Sequence, residues 1–243
     1  MATIARQNRD ALRRPADGGG ASRLLAIPVA LILSLAAVTL LYVIYVLWPR
    51  WPEPPVSPDA PSLPITVGGV TFNVPPAAIR VAVQRRAGAQ ERIDLAYLWP
   101  SLTPPDPAAK AGETAPATPG DRLFVMIATS DGTLPPAERL KAIYPRYIEP
   151  TASAGPDGLS QVKFRDGSPY QGEDLLYDPA APEQFLLRCT RKGKGPMPGS
   201  CLHERRIGAA DVTVRFPRDW LSDWRSVQAG IERLIAQLRP QGS

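Results

Sequence analysis

The chain has 243 residues, 44% of them hydrophobic, with 28 basic residues, 23 acidic residues and a single histidine. This length and apolar content suffice for a packed core in one large domain or two small ones, and exclude a chain too polar to fold. The net charge of +5 is unevenly placed, since five arginines and two aspartates in the first 23 residues already supply +3.

From Leu24 to Leu47 the sequence reads LLAIPVALILSLAAVTLLYVIYVL, without a single charge. The hydrocarbon core of a bilayer needs about 20 helical residues, so residues 24–47 are expected to form a transmembrane helix. Pro28 is expected in its first turn, where a missing N–H costs little. A cleaved signal peptide fits poorly. Its apolar region would be only about 7 to 15 residues long, and no small-x-small cleavage pattern ends this one. Arg6, Arg9, Arg13, Arg14 and Arg23 precede the span and only Arg50 closely follows it. Cationic flanks stay cytoplasmic, so residues 1–23 are read as a basic cytoplasmic tail and the chain as a signal anchor, with everything after the span outside the cytoplasm. Tyr42, Tyr45, Trp48 and Trp51 fit an aromatic belt at the outer interface.

Residues 48–64 follow as a spacer. Seven prolines fall between Pro49 and Pro64, a composition that favours extended polyproline II at about 3.1 Å per residue. The outer domain is expected over residues 65–239. ITVGGVTFNVP reads as two strands around Gly68-Gly69. Ile79, Val81 and Val83 alternate with polar or small residues, as do Ile93, Leu95, Tyr97 and Trp99, which suggests a second hairpin. Residues 103–120, rich in proline and alanine, lack apolar periodicity and read as a flexible insertion. RLFVMIATS is a strand candidate. PPAERLKAIYPRYI carries Leu140, Ile143, Tyr144 and Tyr147 at helical spacing, interrupted by Pro145.

LSQVKF, DLLY, QFLLRCT, CLHERRI and DVTVRF are further strands. The last element, from about Asp219 to Leu238, places Leu221, Trp224, Val227, Ile231, Leu234, Ile235 and Leu238 on one helical stripe, with Asp219 or Ser222 as the expected cap. Strands in hairpin order with few helices predict an α+β fold: one N-terminal transmembrane helix, then a mainly antiparallel sheet with a C-terminal amphipathic helix packed on it.

Both cysteines, Cys189 and Cys201, flank one Gly/Pro-rich loop. In an oxidising compartment they are expected to form a disulfide, and closing a loop of this size contributes about 3 kcal/mol in the chain-entropy model. The spacing is far longer than a redox-active C-x-x-C pair, and one histidine leaves too few ligands for a structural metal, so no metal and no cofactor are expected. Arg188, Arg191, Lys192, Lys194, Arg205 and Arg206 cluster around the same loop and form a candidate contact for an anionic lipid, polymer or protein face. His203 beside Glu204 lacks a nucleophile motif, and no catalytic residue is assigned. Nucleic acid is not an expected partner, because no recognition motif accompanies the positive charge.

A short basic tail, one span, a proline-rich spacer and a small outer α+β domain together resemble the layout of bacterial inner-membrane proteins that work in the periplasm. The resemblance implies a non-enzymatic binding or scaffolding component of the bacterial envelope, anchored in the inner membrane and partnered by another envelope protein. A membrane-anchored periplasmic enzyme and a module for anionic lipid or cell-wall polymer are the alternatives.

Overall fold

In a computed structural model of the chain, the described residues are 21–47, 56–57, 59–106, 119–191 and 199–240. Most of the basic tail, the first part of the spacer, the centre of the 103–120 insertion, and Lys192 and Lys194 lie outside them. The chain divides into one unit ending at Pro54 and a second beginning at Pro55.

In the first unit, Ala21–Leu47 forms one continuous helix, α1. It starts earlier than the apolar run, so Pro28 falls in the helix interior and not in the first turn. Ile27–Val46 is long and apolar enough to cross a membrane, and none of that window is buried by the protein.

The second unit is a mixed α+β domain. Two short strands, β1 (Leu63–Val67) and β2 (Val70–Val74), pair antiparallel around Gly68 and Gly69. Both glycines have positive φ, which L side chains rarely adopt. Gly68 is doubly constrained, because a Cβ there would sit 2.2 Å from the carbonyl oxygen of Ala209. The expected partner of the second hairpin takes another form. Residues 76–78 and 82–84 are 3-10 turns, and only Ile79 bridges to Leu95, leaving Val81 and Val83 exposed. The paired prolines 75 and 76 at the start of this segment cannot donate to a ladder. The supposed hairpin loop instead contributes β3 (Gly88–Ala89), parallel to β1.

The remaining strands are β4 (Arg92–Leu98), β5 (Arg122–Thr129), β6 (Ser153–Ala154), β7 (Ser160–Lys163), β8 (Glu173–Tyr177), β9 (Leu186–Thr190), β10 (Ser200–Ile207) and β11 (Ala210–Pro217). They form one antiparallel sheet in the order β4-β5-β11-β10-β9-β8-β7-β6. Helix α2 (Pro136–Ala142) is followed by a 3-10 turn at Tyr144–Arg146. Pro145 has no N–H to continue the α-helical ladder, which accounts for this early end.

The closing helix, α3 (Trp224–Leu238), begins later than its stripe suggests, after a 3-10 turn over Arg218–Asp223. Its cap is therefore Asp223, whose carboxylate accepts from Ser226 N, and neither Asp219 nor Ser222 takes that position. All seven stripe residues are buried in the main core, with Ile65, Phe72, Ile93, Val125, Val212 and Phe216 among their companions. A smaller core on the other sheet face joins Tyr144, Phe164, Leu175 and Leu186. Side chains alternate between faces along a strand. The adjacent pairs Leu175-Leu176 and Leu186-Leu187 therefore supply one leucine to each core. Strands β8 and β9 are covered on both faces.

Helix α3 approaches the sheet closely at Gly230, where a Cβ would lie 2.5 Å from Cζ3 of Trp99. Trp99 in turn stacks on Trp220 at 5.1 Å between ring centroids. Alanine normally favours a helix interior over glycine by about 1 kcal/mol. Here the ring cannot yield without disturbing that stack, so Gly230→Ala is expected to lower unfolding stability in urea, by about 1–3 kcal/mol. A gain in stability would show that Trp99 moves freely.

Candidate functional site

Cys189 on β9 and Cys201 on β10 are directly opposed in the ladder and bonded, with Sγ atoms 2.01 Å apart. Both are fully buried in the main core. The same cross-strand row continues to Asp174 on β8, opposite Cys189, and to Phe216 on β11, opposite Cys201. Asp174 thus holds an inward-facing position two residues before the core side chain Leu176, and it is 2% exposed.

Burying a carboxylate is costly unless charged donors surround it. Asp174 accepts from Arg191 Nε at 2.9 Å, Arg218 Nη2 at 2.7 Å and Gln161 Nε2 at 3.0 Å. Arg191 also donates to the carbonyls of Phe164 and Glu173, and Arg218 to that of Thr190. Backbone and charge together close the base of the loop, with Arg218 N donating to Gly199 O at 2.8 Å.

The described arginines of the basic cluster are divided between the two sheet faces. Arg188 lies opposite Leu202, on the same face as Glu204 and Arg206, whereas Arg205 shares the face of Cys201 and His203. Each has a carboxylate partner. Arg188 meets Glu173 at 3.2 Å and Glu204 at 3.8 Å, with its guanidinium over the Tyr170 ring. Arg191 is held by Asp174, Arg205 pairs with Glu232, and Arg206 meets Asp211 at 2.7 Å. Glu204 also receives Arg139 of α2 at 2.8 Å, tying that helix to the sheet. Nearby burial raises the Tyr144 hydroxyl to a pKa of about 12, keeping it protonated beneath these charges.

His203 occupies the next inward position of β10, opposite Leu187 and Val214, and is 4% exposed. Its Nδ1 lies 3.2 Å from Leu186 O. A carbonyl only accepts, so Nδ1 carries the hydrogen and Nε2 is left as an acceptor. The ring packs on Phe185, which stacks on Trp224. Burial is the main cause that pushes the imidazole pKa below its ordinary 6.5, although Leu186 O, Glu232 and Glu204 oppose the shift. His203 lies in a cleft of about 450 Å³ between α3, β10 and the 183–184 turn, lined also by Glu183, Gln184, Glu204, Arg205, Gln228 and Glu232. Among the described residues no cluster of three or more His, Cys, Asp or Glu is placed to hold a metal.

Sequence reasoning passed over Asp174, Arg218 and the cleft residues Glu183, Gln228 and Glu232. Asp174 had a signal: an acidic residue in register with Leu176 on the inward side of a strand. The cleft had none, because its walls come from segments far apart in sequence.

No protein-family model matches the sequence, and no curated protein matches it. Two solved structures are similar to this chain. One is Smlt3025, an immunity protein of the Stenotrophomonas maltophilia type IV secretion system, at 17% identity and a TM-score of 0.48, covering 74% of this chain and 94% of that one. The other is the Neisseria meningitidis iron-regulated outer membrane lipoprotein FrpD, at 11% identity and a TM-score of 0.40, covering 76% of this chain and 97% of that one.

Two outcomes are expected. Asp174→Ala leaves two arginines facing each other without their carboxylate, and chemical denaturation of the whole chain in detergent is expected to show a loss of about 3 kcal/mol or more. A change near zero would mean that water solvates both guanidiniums. The pH dependence follows from His203, whose folded-state pKa is depressed. The unfolded chain takes up a proton first as pH falls below about 6.5, so the stabilisation is complete above that value and is lost toward the lower folded pKa. Thermal unfolding of the wild type is therefore expected to weaken from pH 7 to pH 5 more than that of His203→Gln, and parallel curves would exclude this histidine as the source.

Proposed function

We propose that this chain is a single-pass inner-membrane protein with a cytoplasmic N-terminus, whose periplasmic domain acts as a non-enzymatic binding or scaffolding component of the bacterial envelope. The observation that carries this reading is the exposure of α1. Leu35 is 69% exposed and Tyr45 72%, in a helix with no charge from Ile27 to Val46. Leaving such a surface in water opposes the hydrophobic effect, and lipid is the environment that satisfies it.

Orientation is supported by the arginines before the helix, which cationic retention keeps inside. The compartment is supported by the cysteine pair, since a buried disulfide persists where thiols are not kept reduced. The binding role is supported by how the domain uses its buried ionisable groups. Asp174 joins two arginines from separate segments, and His203 is oriented by a backbone carbonyl, with no nucleophile bonded to it among the described residues. The α+β domain presents its surfaces to neighbouring envelope molecules.

The test has two parts. Blocking free thiols in intact cells and then comparing mass with and without reduction is expected to reveal the Cys189–Cys201 bridge; two blocked thiols would overturn the compartment. Crosslinking the full chain in the same cells is expected to yield an adduct of one defined mass. Absence of any adduct, with turnover of a periplasmic substrate that survives membrane purification, would favour the anchored enzyme instead.

A further inference from the structure

The cleft beside His203 has a consistent hydrogen-bonding polarity. With Nδ1–H given to Leu186 O, His203 Nε2 is an acceptor, and it has no hydrogen-bond partner among the described residues. The imidazole is buried and its pKa is lowered by that burial, so at neutral pH it presents a lone pair and no charge. The ring rests on an apolar support, since Phe185 packs against it and Trp224 stacks on Phe185.

The rim is acidic. Glu183 comes from the turn before β9, Glu232 from α3, and Glu204 from the strand carrying His203, against a single lining cation, Arg205. Glu204 is committed to Arg139 and Arg188 on the opposite face of the sheet. Glu232 and Glu183 are differently placed. The Arg205–Glu232 pair has both side chains 45% exposed, and Lys141–Glu183 is exposed at 68% and 51%. Pairs this open contribute about 0–1 kcal/mol, so either carboxylate can exchange its partner for an incoming cation at little cost. Gln228, half-buried on α3, and Gln184 add amide carbonyls to the lining. The open nitrogen of a mostly buried imidazole, two exchangeable carboxylates and two amides line one space.

We propose that this cleft is a binding site for a cationic nitrogen group, a guanidinium or protonated amine, whose N–H donors reach His203 Nε2 while its charge is shared between Glu183 and Glu232. A guanidinium has five donors in a planar fork and suits acceptors arranged on several sides; an ammonium has three. The inference rests on the binding role proposed above and specifies its chemistry: the partner presents a basic side chain, with a small free cation as the other source of the same group.

The chain's only histidine makes the test direct, because the imidazole carbon resonance is unique without assignment. The full chain, labelled at histidine and held in detergent at neutral pH, is titrated with N-acetylarginine methylamide, butylamine and, as control, N-acetylaspartate methylamide. The cationic probes are expected to shift the His203 signal saturably, with a Kd on the order of 1 mM, and the aspartate probe to leave it unmoved. Replacing both exposed carboxylates, Glu183→Gln with Glu232→Gln, is expected to weaken the effect at least about tenfold. An unmoved signal, an equal response to aspartate, or unchanged binding by the double variant would overturn the proposal. A blocked Ala-Arg-Ala peptide binding more tightly than the arginine amide assigns the cation to a protein; equal binding assigns it to a small molecule. The two readings fail separately. A cellular adduct that forms equally with the double variant removes the cleft and keeps the binding role, whereas cation binding without any adduct keeps the cleft and removes the envelope partner.

Discussion

The α+β domain depends on a buried carboxylate that cannot be left alone. Asp174 lies on the inward side of β8, where a leucine would be the ordinary occupant, and its charge is tolerable only because Arg191, Arg218 and Gln161 converge on it. These donors come from a strand on one side, the end of β9, and the chain just after β11. Satisfying one carboxylate therefore fixes the relative positions of segments far apart in the sequence, Arg218 lying 44 residues beyond Asp174. The disulfide lies in the same cross-strand row, so a covalent tie and an ionic tie act at adjacent positions of the sheet.

This shared row has a consequence for the loop between the cysteines. The two feet of this loop are held on either side of its Gly- and Pro-rich sequence. Cys189 and Cys201 join them, Arg218 bonds both Gly199 O and Thr190 O, and Asp174 restrains Arg218. The arginines that cluster in sequence here are thereby distributed among partners on both sides of the sheet. What looks like one basic patch along the chain is, for its described arginines, a set of local neutralisations that attach α2, α3 and β8 to the central strands.

The cleft forms where α3, β10 and the 183–184 turn meet. Helix α3 covers the sheet most closely near Gly230, where the missing side chain admits Trp99. At the cleft, α3 contributes the half-buried Gln228 and the exposed Glu232. His203 fills an inward position at the margin of the core, with its ring on the aromatic stack and one nitrogen held by the neighbouring strand.

Periodicity along the chain was enough to place the apolar N-terminal helix, nearly every strand and the buried stripe of α3, because each depends on spacings within one segment. It failed at Ile79–Val83, where prolines and 3-10 turns overrode alternation, and at the start of α3, where another 3-10 turn delayed the cap to Asp223. The proximity of the cysteines was legible because a short loop separates them. The partners of Asp174, the division of the arginines between two faces, and the His203 cleft were decided only by tertiary structure. Ladder register and the seating of α3 bring these side chains together across distances in sequence that no local pattern encodes, and a charge's partner is set by that geometry.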